Sequence, residues 1–304
     1  MATSTSDALL VSRCDRLGDL VLSLPALGFL RDAGFGRIWL HTSRYARPIG
    51  EWARYNGIVA GVWADEEEVP PDLATLSPTL RGLSLFHCPE AVRAFRKLWL
   101  TETMGPRTRL NAMWSYRKSI AQHRSRVEKS EMSYNVDLAR AFLERCGRQI
   151  PEFRGLSALK VPESWTSPVK ASDLLIVASN GGSAPNWPMS RYLERAREAI
   201  ESEGKSVQFL IHGTAAPARI EEFRKSDLAD RAELLPSFSK LEELVAHIAS
   251  CTETLSSSTG PLHIAHAAGR PVTGLYPSQP LVQSFKRWRP DGYWHASPVK
   301  WLHL

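Results

Sequence analysis

The chain has few cysteines, no long apolar stretch and neither of the common glycine fingerprints for phosphate. Each absence excludes something. The four cysteines among 304 residues, Cys14, Cys88, Cys146 and Cys251, are far apart and form no C-x-x-C pair. Neither a zinc site nor a disulfide framework is indicated, and all four read as reduced thiols. Cys14 stands beside two aspartates but has no histidine close in sequence to activate it. No apolar run nears the roughly 20 residues that span a bilayer, and "MATSTSD" has none of the regions of a signal peptide. G-x-G-x-x-G and Walker patterns are both missing, which argues against a dinucleotide dehydrogenase and against an NTPase.

What is present is an ordinary globular composition with an uneven charge. A hydrophobic content of 43% supports a real core, and 304 residues allow two domains. Of the net charge of +6, five lie in the first 150 residues. The stretch "RTRLNAMWSYRKSIAQHRSRVEK" gathers Arg107, Arg109, Arg117, Lys118, Arg124, Arg126 and Lys129. Such a run is either a solvated face or a site for an anionic partner.

Both halves alternate strand and helix. "ALLVSR" is a short apolar run that reads as a strand buried on both faces. In "CDRLGDLVLSLPALGFLRDAG", Leu20, Val21, Leu24, Leu27 and Leu30 recur at helical spacing, Pro25 disturbs the first turns, and Gly34 ends the helix. Asp15 and Asp19 then fall on the loop at the strand's carboxyl end, where open α/β sheets bind ligands, with Asp19 suited to cap the helix. "RIWLHTS" and "GIVAGVWAD" read as strands around a helical Arg44–Tyr55, and Pro89 to Gly147 reads as mostly helical. "GLSALKVPESWTSPVKAS" has no sustained period and marks the boundary, giving domains 1–165 and 166–304.

The second half restarts with strand "DLLIVAS", glycine loop "NGGSAPNWP" carrying Gly181 and Gly182, and helix "MSRYLERAREAIESEG". Strand "SVQFLIHG" follows, then helix "SKLEELVAHIASC", with Ser239 and Glu242 spaced as a capping box. In "TETLSSSTGPLHIAHAAGRPVTGLYP", Pro261 suits the first turn of a helix opened by Thr259 and Gly260. That turn is either an ordinary helix start or a phosphate site made of free amides and the dipole end. His263, one turn in, is either a core histidine or a ligand to that phosphate. Repeated β–loop–α units give a parallel sheet in each half.

These residues carry a resemblance. "RCDRLGDLVLSLPALGFLR" resembles the amino-terminal Gly-Asp motif of the heptosyltransferases, glycosyltransferase family 9, and "SSSTGPLHIAHAAGRPVTGLY" resembles their carboxyl-terminal Thr-Gly-x-x-His motif. "NWP" is similar to the family's Trp-Pro element, and "MGPRTRL … YNVDLARAFLERCG" to its basic helical stretch. The resemblance implies an α/β chain of GT-B fold, two Rossmann-like domains whose parallel sheets face a central cleft. The first domain would take the acceptor and the second a nucleotide sugar, with the last segment packing back on the first.

The implied activity is an inverting, metal-independent transfer of a heptose or related sugar, from a nucleoside diphosphate such as ADP-heptose, to an anionic acceptor such as lipopolysaccharide inner core. No cofactor, metal or nucleic acid is implied, and the protein would be cytoplasmic, meeting its acceptor at the inner membrane face. Asp19 would be the general base. Ser258, Thr259, Gly260, His263, Gly181 and Gly182 would hold the diphosphate, and Trp187, His212 and Gly213 the nucleotide. Asp15, Arg16, Gly18, Arg107, Arg109, Arg117 and Lys118 would contact the acceptor, with Asp15 alternatively fixing the loop. Three departures lie in the donor half: Ser258 stands where the family has Asp, Pro185 where it has Lys or Arg, and "GTAAPAR" has no acidic residue for a ribose. The alternative is a divergent member that binds glycan or nucleotide without turnover or takes another donor.

Overall fold

The computed structural model describes residues 8–107, 115–122, 124–126, 128–178, 187–276, 282–289 and 299–303. The chain divides into two compact units, Met1–Leu156 and Ser157–Leu304. The irregular segment expected to contain the boundary is shared between them. Leu156 covers Gly28, its Cδ2 2.5 Å from where a β-carbon would lie, whereas the Leu159 amide bonds the Ala267 carbonyl at 2.8 Å.

The first unit runs β1 (Ala8–Arg13), α1 (Leu17–Val21), α2 (Leu24–Asp32), β2 (Arg37–Thr42), α3 (Arg47–Tyr55), β3 (Gly61–Ala64), α4 (Pro71–Leu76), β4 (Arg81–Ser84), α5 (Pro89–Lys97), β5 (Thr103–Arg107), β6 (Lys118–Ala121) and α6 (Glu131–Arg145). Its strands pair in parallel in the order β3-β2-β1-β4-β5-β6. Every residue of β1 is buried, as its apolar run requires. The helix expected after it is two helices, because Pro25 can stand only in a first turn and so opens α2. The stretch 89–147, expected to be mostly helical, holds the outer strands β5 and β6 as well as α5 and α6.

The second unit runs β7 (Leu174–Val177), α7 (Met189–Glu201), β8 (Val207–Leu210), α8 (Ala216–Arg224), β9 (Glu233–Leu234), α9 (Leu241–Ser250), β10 (Glu253–Ser257), α10 (Gly260–Ala267), β11 (Val272–Tyr276), α11 (Val282–Trp288) and β12 (Val299–His303). Its parallel order is β12-β11-β10-β7-β8-β9, the same topology as the first sheet. The capping box at α9 does not form. Lys240 takes the cap position, and the Ser239 hydroxyl donates to Glu243 Oε2 at 3.0 Å instead. In each sheet the order reverses beside its first strand, at β1/β4 and at β7/β10. Ligands of doubly wound sheets bind outside the carboxyl ends at such points.

The cores are close-packed, and β5 supplies a direct check. A β-carbon at Gly105 would lie 2.7 Å from Cδ2 of the buried Tyr116 ring, which belongs to the cluster of Leu10, Trp63 and Phe95. Gly105→Ala is expected to cost about 1–3 kcal/mol by overpacking. Gly36→Ala, with nothing near its β-carbon, is expected to change stability by under about 0.5 kcal/mol. Equal melting temperatures for the two variants would contradict this packing.

Candidate active site

In the first unit the site is built around a buried arginine. Arg13 closes β1 and is 1% exposed. Its Nε and Nη2 donate to the two oxygens of Asp15 at 2.5 and 2.8 Å, and Nη2 lies 3.2 Å from Asp19 Oδ1. Nη1 and Nη2 both reach Glu131 Oε1 at 3.0 Å, and Nη1 also donates to Asn135 Oδ1 at 3.2 Å. Burial alone would loosen Arg13's proton, but Asp15, Glu131 and Asp19 outweigh it and hold the guanidinium charged, well above the ordinary arginine range.

A second buried guanidinium, Arg124, pairs with Glu131 and donates to the Leu85 carbonyl at 2.6 Å and to Gln122 Oε1 at 3.0 Å. Asn135 Nδ2 donates to Ser23 Oγ at 3.0 Å, and that hydroxyl donates to the Asp19 carbonyl at 2.8 Å. The turn carrying Asp19 is therefore tied to α6 through both side chain and backbone.

The structure gathers Asp15, Arg16, Gly18 and Asp19 at the carboxyl end of β1. Asp19 is 8% exposed and lies within the first turn of α1; it is not the cap, a position Arg16 holds without a side-chain bond. The expected basic face is not one face. Arg124 is internal, Lys129 pairs with Asp137 at 2.6 Å, and Arg117 lies 3.8 Å from Glu102. Arg107 ends β5, on the ligand side of the sheet. Lys118 instead opens β6, level through Met104 and Leu83 with Val11. It lines a separate cavity of about 150 Å³ with Arg81, Glu102 and Arg145. Arg117 and Lys118 are thus not brought to Asp19, three strands away or roughly 14 Å across the sheet. Arg109 lies outside the described residues.

In the second unit, β10 runs into Ser258 and Thr259, and α10 begins at Gly260 with no side-chain cap. The Thr259 hydroxyl is turned away to Ser256 Oγ at 3.0 Å and to the Ser257 carbonyl at 3.3 Å. The amides of the first turn are left for something else. His263, 3% exposed, has an Nδ1 with no hydrogen-bond partner among the described residues, and so does Ser257 Oγ. Burial, with His266 beside it, lowers the His263 pKa to about 3. The ring is therefore neutral, and any anion here is held by amides, the dipole end and neutral donors.

Trp187 is half-buried against the core, its Nε1 also without a partner among the described residues. Arg219, which sequence reasoning missed, donates to the Ala178 carbonyl and to the Trp187 carbonyl, both at 2.9 Å. It thereby ties Ala178 at the end of β7 to Trp187 just before α7. Gly213, at φ +92, follows His212, whose pKa is lowered by desolvation from its neighbours. Gly181, Gly182 and Pro185 lie outside the described residues.

Two doubly wound parallel sheets, each with polar groups gathered at its switch point, are the architecture of GT-B glycosyltransferases, and solved structures match it. A glycosyl transferase family 9 protein from Veillonella parvula DSM 2008 aligns over 99% of this chain and 88% of its own, with TM-score 0.72 and 16% identity. ADP-heptose LPS heptosyltransferase II of E. coli aligns over 96% and 89%, with TM-score 0.71 and 16% identity. At such identity these likenesses establish the fold. The family model for glycosyltransferase family 9 (heptosyltransferase) matches residues 99–290, and the chain belongs to that family. A Haemophilus influenzae protein with a provisional glycosyltransferase name is 28% identical over 190 residues, 58% of this chain and 53% of that relative, so the chain spans about half its length.

The buried histidines set a pH response. His41, His263 and His266 are essentially unexposed, and burial lowers their pKa values to about 4, 3 and 4. All three are neutral in both states from about pH 7.5 upward, a unit above the unfolded pKa of about 6.5, and there the stability is complete. Below that the unfolded chain takes up protons that the native chain refuses, so stability falls with a slope of up to about 1.4 kcal/mol per pH unit for each histidine. Unfolding at about pH 7.5 and about pH 5 is expected to give a clearly lower midpoint at the acid value. A flat profile would contradict the burial of the three rings.

Proposed function

We propose that the chain is an inverting, metal-independent glycosyltransferase that moves a heptose or related sugar from a nucleoside diphosphate, ADP-heptose first among them, to an anionic acceptor such as lipopolysaccharide inner core. The observation that carries the reading is the uncapped start of α10 with the buried Nδ1 of His263 behind it. It is supported by family membership and by the carboxylate cluster at the matching point of the first sheet.

Asp19, oriented by Arg13, takes the proton of the acceptor hydroxyl as that oxygen attacks the anomeric carbon. The bond from that carbon to the diphosphate breaks on the opposite face, and the configuration inverts. The departing diphosphate gathers negative charge, which the amides of Gly260 and Leu262 and the positive end of α10 stabilise, with Ser258, Thr259 and neutral His263 as further partners. A metal is not needed where that end supplies the positive potential. Trp187, His212 and Gly213 take the nucleoside, and Gly181 and Gly182 are further partners of the diphosphate. In the first domain both oxygens of Asp15 bind Arg13, which suits a loop-fixing role, and Arg16 at the start of α1 and Arg107 at the end of β5 are the acceptor-side cations on the ligand side of the sheet.

Product formation from a panel of nucleotide sugars, in EDTA, tests the proposal. ADP-heptose is expected to give transfer without added metal. Asp19→Ala is expected to lose about 10²- to 10⁴-fold in kcat with nucleotide affinity nearly unchanged. Near-full activity of that variant would remove Asp19 as the base. Binding without transfer across the whole panel would favour the non-catalytic alternative, and restoration only by Mg²⁺ or Mn²⁺ would overturn the helix-terminus donor site.

A further inference from the structure

The amino end of the first sheet carries a cationic cavity that glycosyl transfer does not use. Leu83, Met104 and Lys118 are level across the parallel strands β4, β5 and β6, so their side chains share one face. Arg81, two residues before Leu83, points to that same face because side chains alternate along a strand. The end of α6 lies against it with Phe142, Arg145 and Cys146, which stand on one side of the helix at i, i+3 and i+4. The cavity of about 150 Å³ lies between them. Met104 and Phe142 are buried and give it an apolar floor, while the polar side chains form its wall.

That wall is strongly cationic. Arg81, Lys118 and Arg145 come from three different elements, and among the described residues one carboxylate, Glu102, lines the cavity with them. Glu102 also lies 3.8 Å from Arg117 Nε. Lys118 and Arg145 have no ion pair among the described residues. A cation in a last helical turn can offset the dipole, and a lysine on an edge strand can block strand pairing. Neither role accounts for the group. The last carbonyls of α6 are already met by the Gly147 amide, at 3.1 Å from Glu144 O, and the Arg148 amide, at 3.0 Å from Leu143 O. Arg81 belongs to an interior strand and faces the same hollow. Three cations around one hollow repel one another unless an anion sits among them.

We propose that this cavity binds one dianion of the phosphate class, either inorganic phosphate or the phosphomonoester end of a larger molecule, between Arg81, Lys118 and Arg145. Two planar guanidiniums and a compact ammonium match a doubly charged tetrahedral oxyanion better than a halide or a single carboxylate. The volume admits such a group with water, and it falls short of the roughly 300 Å³ at which pockets for drug-sized ligands begin, so a whole nucleotide does not fit. The site opens at the amino ends of the strands, whereas Asp19 lies past the carboxyl end of β1. A bound anion joins β4 and β6 to the end of α6, the helix whose Glu131 and Asn135 hold Arg13. It therefore braces the first unit from the side away from the proposed transfer.

Cys146, partly exposed in the cavity wall, supplies a local readout that needs no transferase assay. Native protein is alkylated with iodoacetamide in rising inorganic phosphate, against chloride at equal ionic strength, and the rates at Cys146 and Cys14 are read by peptide mapping. Phosphate at several times its Kd is expected to slow Cys146 roughly fivefold, as the open fraction falls as 1/(1 + [L]/Kd), with Cys14 unaffected. Glycerol 3-phosphate separates the two sources: protection by both compounds marks a phosphomonoester site, protection by phosphate alone a site for the free ion, and either result supports the proposal. In the double variant Lys118→Gln, Arg145→Gln, both at exposed positions, the protection is expected to disappear, which separates this site from any phosphate held at α10. Equal Cys146 rates in phosphate and chloride, slowing shared by Cys14, or undiminished protection in the double variant would overturn the proposal. None of these outcomes bears on glycosyl transfer.

Discussion

One guanidinium at the end of the first unit's central strand sets the geometry of that site. Arg13 is sealed from water and bonded through Nε, Nη1 and Nη2 to Asp15, Asp19, Glu131, Asn135 and the Leu85 carbonyl. Sealing a charge at a strand end costs several kcal/mol, and only carboxylates in good geometry offset it. Those carboxylates come from the loop after β1 and from α6, so the same contacts that keep Arg13 tolerable fix the loop that carries the proposed base. Removing Glu131 would leave the buried guanidiniums of Arg13 and Arg124 short of a carboxylate, a loss of about 3–5 kcal/mol.

The second unit has the same strand order and meets the same requirement differently. No buried ion pair marks its switch point among the described residues. Instead α10 presents an uncapped first turn beneath which His263 is buried and neutral. The first site holds carboxylates with a fixed cation, and the second offers fixed dipoles to an anion. That division is what the proposed transfer asks for: a base aimed at one hydroxyl, and a cradle for the charge of a departing diphosphate.

Much of this was legible in the sequence, for physical reasons that differ by element. "ALLVSR" and "DLLIVAS" are buried on both faces, so they announce themselves as apolar runs, and Thr259-Gly260-Pro261 announces a helix start. The strands "TMGPR" and "KSIA" do not: one contains glycine and proline, and the other lies at the edge, where no residue is fully buried. The Gly18-Asp19 turn stands out in the sequence through family resemblance, but the contacts that hold it do not. Glu131 lies 118 residues from Arg13 in sequence, a distance no local pattern bridges. The one available sign was the arginine itself, closing a strand too apolar to leave it in water. His41 shows the same limit: its Nδ1 lies 3.3 Å from Cys14 Sγ only because β1 and β2 pair.

The central claim is that Arg13 serves the reaction by aiming Asp19. A double-mutant cycle of Arg13→Lys and Asp19→Ala in transfer rate tests it most directly. Lysine keeps the buried charge but not the fork that reaches several carboxylates at once. With Asp19 present, Arg13→Lys should lower kcat by about tenfold or more while the KM for the nucleotide sugar holds; with Asp19 replaced by alanine, it should cost almost nothing further, a coupling on the order of 1 kcal/mol or more. Equal losses in both backgrounds would mean that Arg13 acts independently of Asp19, and would contradict the claim.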